Sequence, residues 1–136
     1  MPNAKDHVFP LLWSNDVAQL LSWATRSLGI QESWRAESET AKDVVEHAEL
    51  IWPKGKISIN IKSDSYADMG PCGIGLGVSN NAEVDRIHAL AVAAKAEILQ
   101  PLMASPVAYS FTARDPDGNQ WWVHAETGML DQLRQS

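Results

Sequence analysis

Cysteine is nearly absent from this sequence. Cys72 stands alone, so no disulfide can form within the chain, which fits a reducing compartment. Long apolar runs are missing too: no stretch approaches the roughly 20 residues that a helix needs to cross a bilayer, so no membrane partner is expected. The opening residues MPNAKDH lack the apolar segment of an export signal, which makes the expected location cytoplasmic. Basic surface is scarce. Eleven Lys and Arg are scattered singly against 17 Asp and Glu, giving a net charge of −6 and a pI near 5.1, and this argues against a nucleic-acid partner. Phe and Tyr number only two each, yet there are six Trp. Some of these belong in a core, and the excess points to an aromatic-lined pocket. Cys72 follows Pro71 with no histidine or basic residue beside it, and it reads as a small buried hydrophobe rather than a reactive thiol.

What is present is turn chemistry framed by β-rich runs. At 136 residues, 45% hydrophobic and 21% charged, the chain has the size and make-up of one soluble domain. In Val107 to Val123, two runs of Val, Tyr, Phe, Thr and Trp flank Asp115-Pro116-Asp117-Gly118-Asn119. Pro116 presets φ, Asp115 and Asp117 can bond their own backbone, and Gly118 takes positive φ at little cost, so the segment predicts a hairpin. Alternation puts Gln120, Trp122 and His124 on one face of the second strand and Trp121, Val123 and Ala125 on the other. Large aromatics on both faces require cover on both.

From the N-terminus, His7 to Trp13 reads as a strand, with Pro10 marking an edge or a bulge. Ser14-Asn15-Asp16 supplies cap chemistry, and Val17, Leu20, Leu21, Ala24 and Leu28 form one helical stripe that Gly29 ends. Gln31 to Glu37 reads as a strand. Val44 to Trp52 and Lys56 to Lys62 read as a hairpin about Pro53-Lys54-Gly55, with Ile57, Ile59 and Ile61 on one face. Gly73 to Val78 alternates Ile74, Leu76 and Val78 against Gly73, Gly75 and Gly77. It has neither the Lys-Ser/Thr pair nor the glycine spacing of a nucleotide loop, so it reads as a strand. Asn80 or Asn81 caps a second helix to about Ala94, Glu97 to Gln100 is a short strand, and Pro101 to Pro106 a loop. Strand, helix and three strands thus occur twice at a spacing near 65 residues. The expected class is α+β, two βαβββ modules forming a curved, cup-shaped mixed sheet with helices on the outer face. The expected organisation is one domain over 1–136, with module one at about 7–62, a linker at 63–72, module two at about 73–125, and a tail at 126–136 that includes a short helix.

The residues LLWSNDVAQLLSWATRSLG (11–29), HAELIWPKG (47–55), GIGLGVSN (73–80) and FTARDPDGNQWW (111–122) resemble the vicinal oxygen chelate superfamily, which includes glyoxalase I, bleomycin-resistance proteins and extradiol dioxygenases. The resemblance runs over nearly the whole chain, and DPDGN is its most specific element. One departure is Lys95, where the pattern usually has glycine after the second helix. The resemblance implies a metal site with ligands on the first, fourth, fifth and eighth strands. Carried onto this chain, those positions fall on Phe9, on Ser58 or Asn60, on Gly73 and on Trp122. Zinc, nickel or iron needs three or four His, Asp or Glu groups at one point, so this reading assigns no metal, no cofactor and no catalytic residue.

The same register suggests a replacement. Phe9, Leu11 and Trp13 face the cup from the first strand, and Gln120, Trp122 and His124 from the eighth. Gly73, Gly75 and Gly77 lie between them, and Ser58, Asn60, Ser110 and Thr112 offer hydrogen bonds. An aromatic wall beside a bare floor is a slot for a planar aromatic ligand held by stacking. The metal-free members of the family that look most like this chain imply sequestration of aromatic antibiotics by a homodimer whose chains share each pocket. The competing reading of Trp13 and Trp122 is ordinary sheet core. His47-Ala48-Glu49 and His124-Ala125-Glu126 offer a rival, in which a relocated metal or a cofactor-free acid–base pair serves a lyase, isomerase or hydrolase.

Overall fold

Helix formation at the head of the chain follows from its stripe. In the computed structural model, which describes residues 8–63, 68 and 70–135, Val17, Leu20, Leu21, Ala24 and Leu28 are all buried on one side of α1 (Val17–Leu28). Burying each Leu contributes roughly 1.5–3 kcal/mol relative to exposure. The Asp16 carboxylate caps the start by accepting from the Gln19 N–H at 3.1 Å, and Gly29 ends the helix at φ 69°. Around α1 lie β1 (Leu11–Ser14), β2 (Gln31–Glu37), β3 (Val45–Trp52) and β4 (Gly55–Ile61). The second module repeats the plan with β5 (Gly73–Gly77), α2 (Asn81–Ala93), β6 (Glu97–Ala104), β7 (Ala108–Arg114) and β8 (Gln120–Glu126), and α3 (Gly128–Gln135) follows. His7 and residues 64–67 and 69 of the expected linker lie outside the described residues.

The strands form two four-stranded mixed sheets, ordered β1-β4-β3-β2 and β5-β8-β7-β6. In each, the first and last strands of the module pair in parallel and the other neighbours are antiparallel. Strict alternation gives each sheet one buried face. Ile57 and Ile59 of β4 and Ala48 and Leu50 of β3 face α1, while Trp121 and Val123 of β8 and Phe111 and Ala113 of β7 lie in the same contiguous core beneath α2. The opposite face of each sheet carries the candidate site. The first strand, expected from His7 to Trp13, begins only at Leu11, so Phe9 and Pro10 precede it; β1 lies at the sheet edge, and the Pro10 carbonyl accepts from the Ser58 N–H at 3.0 Å.

Two further local expectations need correction. The segment expected as a strand to Gln100 followed by a proline-bounded loop is one continuous β6 that runs through Pro101 to Ala104. A proline is tolerated there because β6 is an edge strand with a register irregularity between Gln100 and Met103, so no ladder donor is lost. Cys72, expected to be buried, is exposed. Partial burial and the neighbouring Asp115 nonetheless push its thiol above the ordinary value, which disfavours the reactive thiolate.

Candidate functional site

The most specific motif in the sequence turns out to be a clamp. Gly118 adopts φ 90°, and Asp115 is only 4% exposed. One Asp115 oxygen accepts from the Asp117 and Asn119 N–H groups at 2.9 and 3.0 Å, the other from Asn119 Nδ2 and Trp121 Nε1, both at 2.8 Å. Burial pushes the Asp115 carboxyl above its usual range, and these four donors oppose that shift. Asn119 Oδ1 in turn accepts from the Cys72 N–H at 3.0 Å. Asp117, expected to bond its own backbone, reaches into the other module instead. Its carboxylate accepts from Ser14 Oγ at 2.6 Å and from the Asn15 N–H at 3.0 Å.

The turn fixes β8, and β8 fixes the open face of the second sheet. Register places Gln120 beside Gly73, Trp122 beside Gly75 and His124 beside Gly77. The rings of Trp122 and His124 stack with centroids 3.9 Å apart and planes 16° off parallel. A Cβ built on Gly75 would lie 3.6 Å from His124 Cε1 and 3.9 Å from the Trp122 ring; one on Gly77 would lie 3.7 Å from His124 Nε2. These are ordinary contact distances, so the two rings lean over β5 and themselves take up part of the space above its glycines. Trp122 remains 39% exposed.

Across from β8, Thr112 pairs with Trp122 and Ser110 with His124. Both hydroxyls meet Gln100, a residue the sequence reading left out of the site. Gln100 Nε2 donates to Ser110 Oγ at 3.1 Å, and Thr112 Oγ1 donates to Gln100 Oε1 at 3.3 Å. Nothing local marks Gln100. Its role comes from partners ten and twelve residues away, across the β6–β7 hairpin.

On the first sheet the candidates fall into rows. Leu11 pairs with Ser58 and Ser58 with Glu49; Trp13 pairs with Asn60 and Asn60 with His47. Ser58 is buried, whereas Leu11 is 42% exposed and Phe9 37%. Lys56 Nζ sits 4.5 Å above the Phe9 ring and 2.7 Å from Glu49. Asn60 Oδ1 bonds His47 Nδ1, and the exposed Trp34 meets the His47 ring edge-on at 5.3 Å. Trp34, like Gln100 on the other sheet, stands outside the expected site residues. The Leu11, Trp13, Ser58 and Asn60 group and the Gly73, Gly75, Gly77, Ser110, Thr112, Gln120, Trp122 and His124 group thus lie on different sheets, which share no strand ladder.

The His-Ala-Glu repeats do place each histidine and carboxylate on one strand face, but their partners lie elsewhere. Glu49 pairs with Lys56, and Glu126 with Arg134 at 2.9 Å, a pairing that holds the Glu126 carboxyl below its usual range. At the positions where the resemblance implies metal ligands stand Phe9, Gly73, Trp122 and Ser58 or Asn60, none of them a His, Asp or Glu. Among the described residues no group of three or more His, Cys, Asp or Glu converges. The donor set does not fit a transition metal.

The sequence matches the family described as the Glyoxalase/Bleomycin resistance protein/Dioxygenase superfamily over residues 5–123. No curated protein matches. Among solved structures, TioX from Micromonospora sp. ML1 superposes with a TM-score of 0.72 at 23% identity, covering 90% of this chain and 99% of that one. A glyoxylase/bleomycin resistance protein/dioxygenase domain from Frankia sp. EAN1pec gives 0.69 at 18% identity, covering 93% and 100%. Lactoylglutathione lyase from Agrobacterium tumefaciens gives 0.67 at 14% identity, covering 90% and 96%. At these identities the likeness is one of fold.

Proposed function

Because the chain belongs to the Glyoxalase/Bleomycin resistance protein/Dioxygenase superfamily, we propose that it serves as a metal-free binding protein that sequesters a planar aromatic or hydrophobic small molecule, such as an antibiotic. The observation that carries this reading is the exposed Trp122 ring stacked on His124. A two-ring stack on a sheet face ends in an aromatic surface that a third flat ring can continue, with stacking worth roughly 0.5–1.5 kcal/mol beyond the area buried. Family positions that would coordinate an ion carry Phe9, Gly73 and Trp122, which suit contact rather than coordination. The open face of the first sheet, with Leu11, Trp13 and Trp34 and with Phe9 just before β1, offers a further aromatic surface. A homodimer that brings one chain's first sheet over the other's second would combine the two into shared pockets.

Titration with 9(10H)-acridone and 2-naphthol, followed by tryptophan fluorescence, tests the proposal. Saturable quenching is expected, weakened about tenfold or more in Trp122→Ala, whose exposed side chain contributes little to the core. Absence of saturable quenching by either compound, or equal affinity in the variant, would sink it.

A further inference from the structure

We infer that Gln100 sets the hydrogen-bond polarity of the candidate binding face on the second sheet, so that the bound aromatic must present an N–H or O–H donor toward Thr112. The inference rests on the binding reading above and narrows its ligand class. Gln100 has its amide orientation fixed by the backbone. Its Nε2 faces the carbonyls of Pro101 and Ser110, each at 3.4 Å, as well as Ser110 Oγ. Two carbonyl oxygens can only accept, so the nitrogen must point to that side, and Oε1 is left to face Thr112. An amide oxygen has no hydrogen to give. In the 3.3 Å contact between them the Thr112 hydroxyl is therefore the donor and Oε1 the acceptor.

That commitment has a chemical consequence. A hydroxyl whose only hydrogen is spent can offer a ligand nothing but lone pairs. Thr112 is half-buried and stands directly beside Trp122 in the β7–β8 register, where opposed side chains lie about 4.5–5.5 Å apart at Cβ. A ring stacked on Trp122 presents its edge there. Ser110 carries the opposite polarity, since it accepts from Gln100, but it is 5% exposed and Thr112 is the more accessible hydroxyl. The favoured ligand class is then a flat aromatic with an edge N–H or O–H, such as a ring-fused lactam or a phenol. Fully alkylated or purely acceptor-edged rings leave two acceptors facing each other and are disfavoured.

The test uses 2-quinolone and its N-methyl derivative, titrated against the parent protein and Gln100→Ala. In the parent, N-methylation should weaken binding about tenfold. In Gln100→Ala the Thr112 rotor is released and can either donate or accept, so the ratio should collapse to about two- to threefold or less. An unchanged ratio in the variant, or no discrimination in the parent, would overturn the assignment while leaving sequestration standing. If neither compound binds, a ligand-free readout still decides. The Thr112 hydroxyl proton should give a slowly exchanging NMR resonance with a contact to the Gln100 side chain, lost in Gln100→Ala. A hydroxyl proton directed away from Gln100 in the parent would overturn the inference regardless of what binds.

Discussion

At the scale of single residues, Asp115 and Trp122 divide the labour of the β7–β8 hairpin. Asp115 is inside, holding the turn with four accepted hydrogen bonds, and Trp122 is outside, offering its ring. Replacing Asp115 by Asn keeps the size but turns one acceptor oxygen into a donor. Whichever way the amide is placed, it opposes either the two backbone N–H groups or the Asn119 and Trp121 side-chain donors. The expected loss is about 1–3 kcal/mol in urea unfolding at neutral pH; an unchanged midpoint would mean that the turn does not depend on this carboxylate. The direction of the Asp115 shift gives a second check. Its folded pKa is raised by burial above the unfolded value near 3.9. A carboxyl raised in this way contributes stability that is complete below the unfolded value and lost as pH rises through the folded one. An NMR titration of the Asp115 carboxyl should therefore show its midpoint above that of a free aspartate.

At the scale of elements, the two helices end differently. Gly29 closes α1 at φ 69°, whereas Lys95 takes the corresponding left-handed position after α2 at φ 59°. The Lys95 N–H bonds Val92 O at 3.0 Å and the Ala96 N–H bonds Ala91 O at 2.9 Å, a backbone cap that needs no side chain. Holding a non-glycine residue in that region costs about 1–2 kcal/mol, and glycine returns part of the gain as unfolded-state entropy. Lys95→Gly should raise the thermal midpoint by about 2–5 °C in a calorimetric scan; a lower midpoint would show that the Lys95 side chain does something useful. Elements of this kind were readable from the sequence because their causes are local. The α1 stripe, the Asn80 cap and the alternation of β4, β5 and β8 each occupy a few consecutive residues. Pro101 misled because its tolerance depends on β6 lying at a sheet edge, a fact of strand order. Gln100, the His47–Asn60 bond and the Trp34–His47 contact escaped for the same reason, since each joins strands whose register no single segment specifies. The placing of Trp122 beside the β5 glycines came from the strand register that the family resemblance implies; the stacking of His124 on Trp122 had no such guide.

At the scale of the whole molecule, the modules are joined by a few contacts of different kinds. Helix α1 packs against α2, where a Cβ on Gly29 would come within 3.1 Å of Leu90 Cδ1, a tight contact that adds to the positive φ favouring glycine there. Trp23 of α1 meets Trp121 of β8 at 5.8 Å, and Trp52 Nε1 donates to Gly77 O at 3.2 Å. Asp117 adds the charged member of the set through Ser14 and Asn15 at the entry to α1. Ser14 is fully buried, and its Oγ also accepts from the Asp16 N–H at 3.0 Å, so removing Asp117 leaves a buried hydroxyl hydrogen and the Asn15 N–H without their acceptor. Asp117→Ala should cost about 1–3 kcal/mol, the range for bonds to a charged group and for orphaned buried donors. Because the buried core is one cluster spanning both modules, the loss should appear as a single cooperative transition shifted to lower urea. Amide exchange at Asn15 should accelerate more than exchange within β7 and β8. Two separated transitions would show that the modules fold independently and that the core does not couple them; an unmoved midpoint would show that Trp23, Trp121 and the helix pair hold the modules together without the clamp.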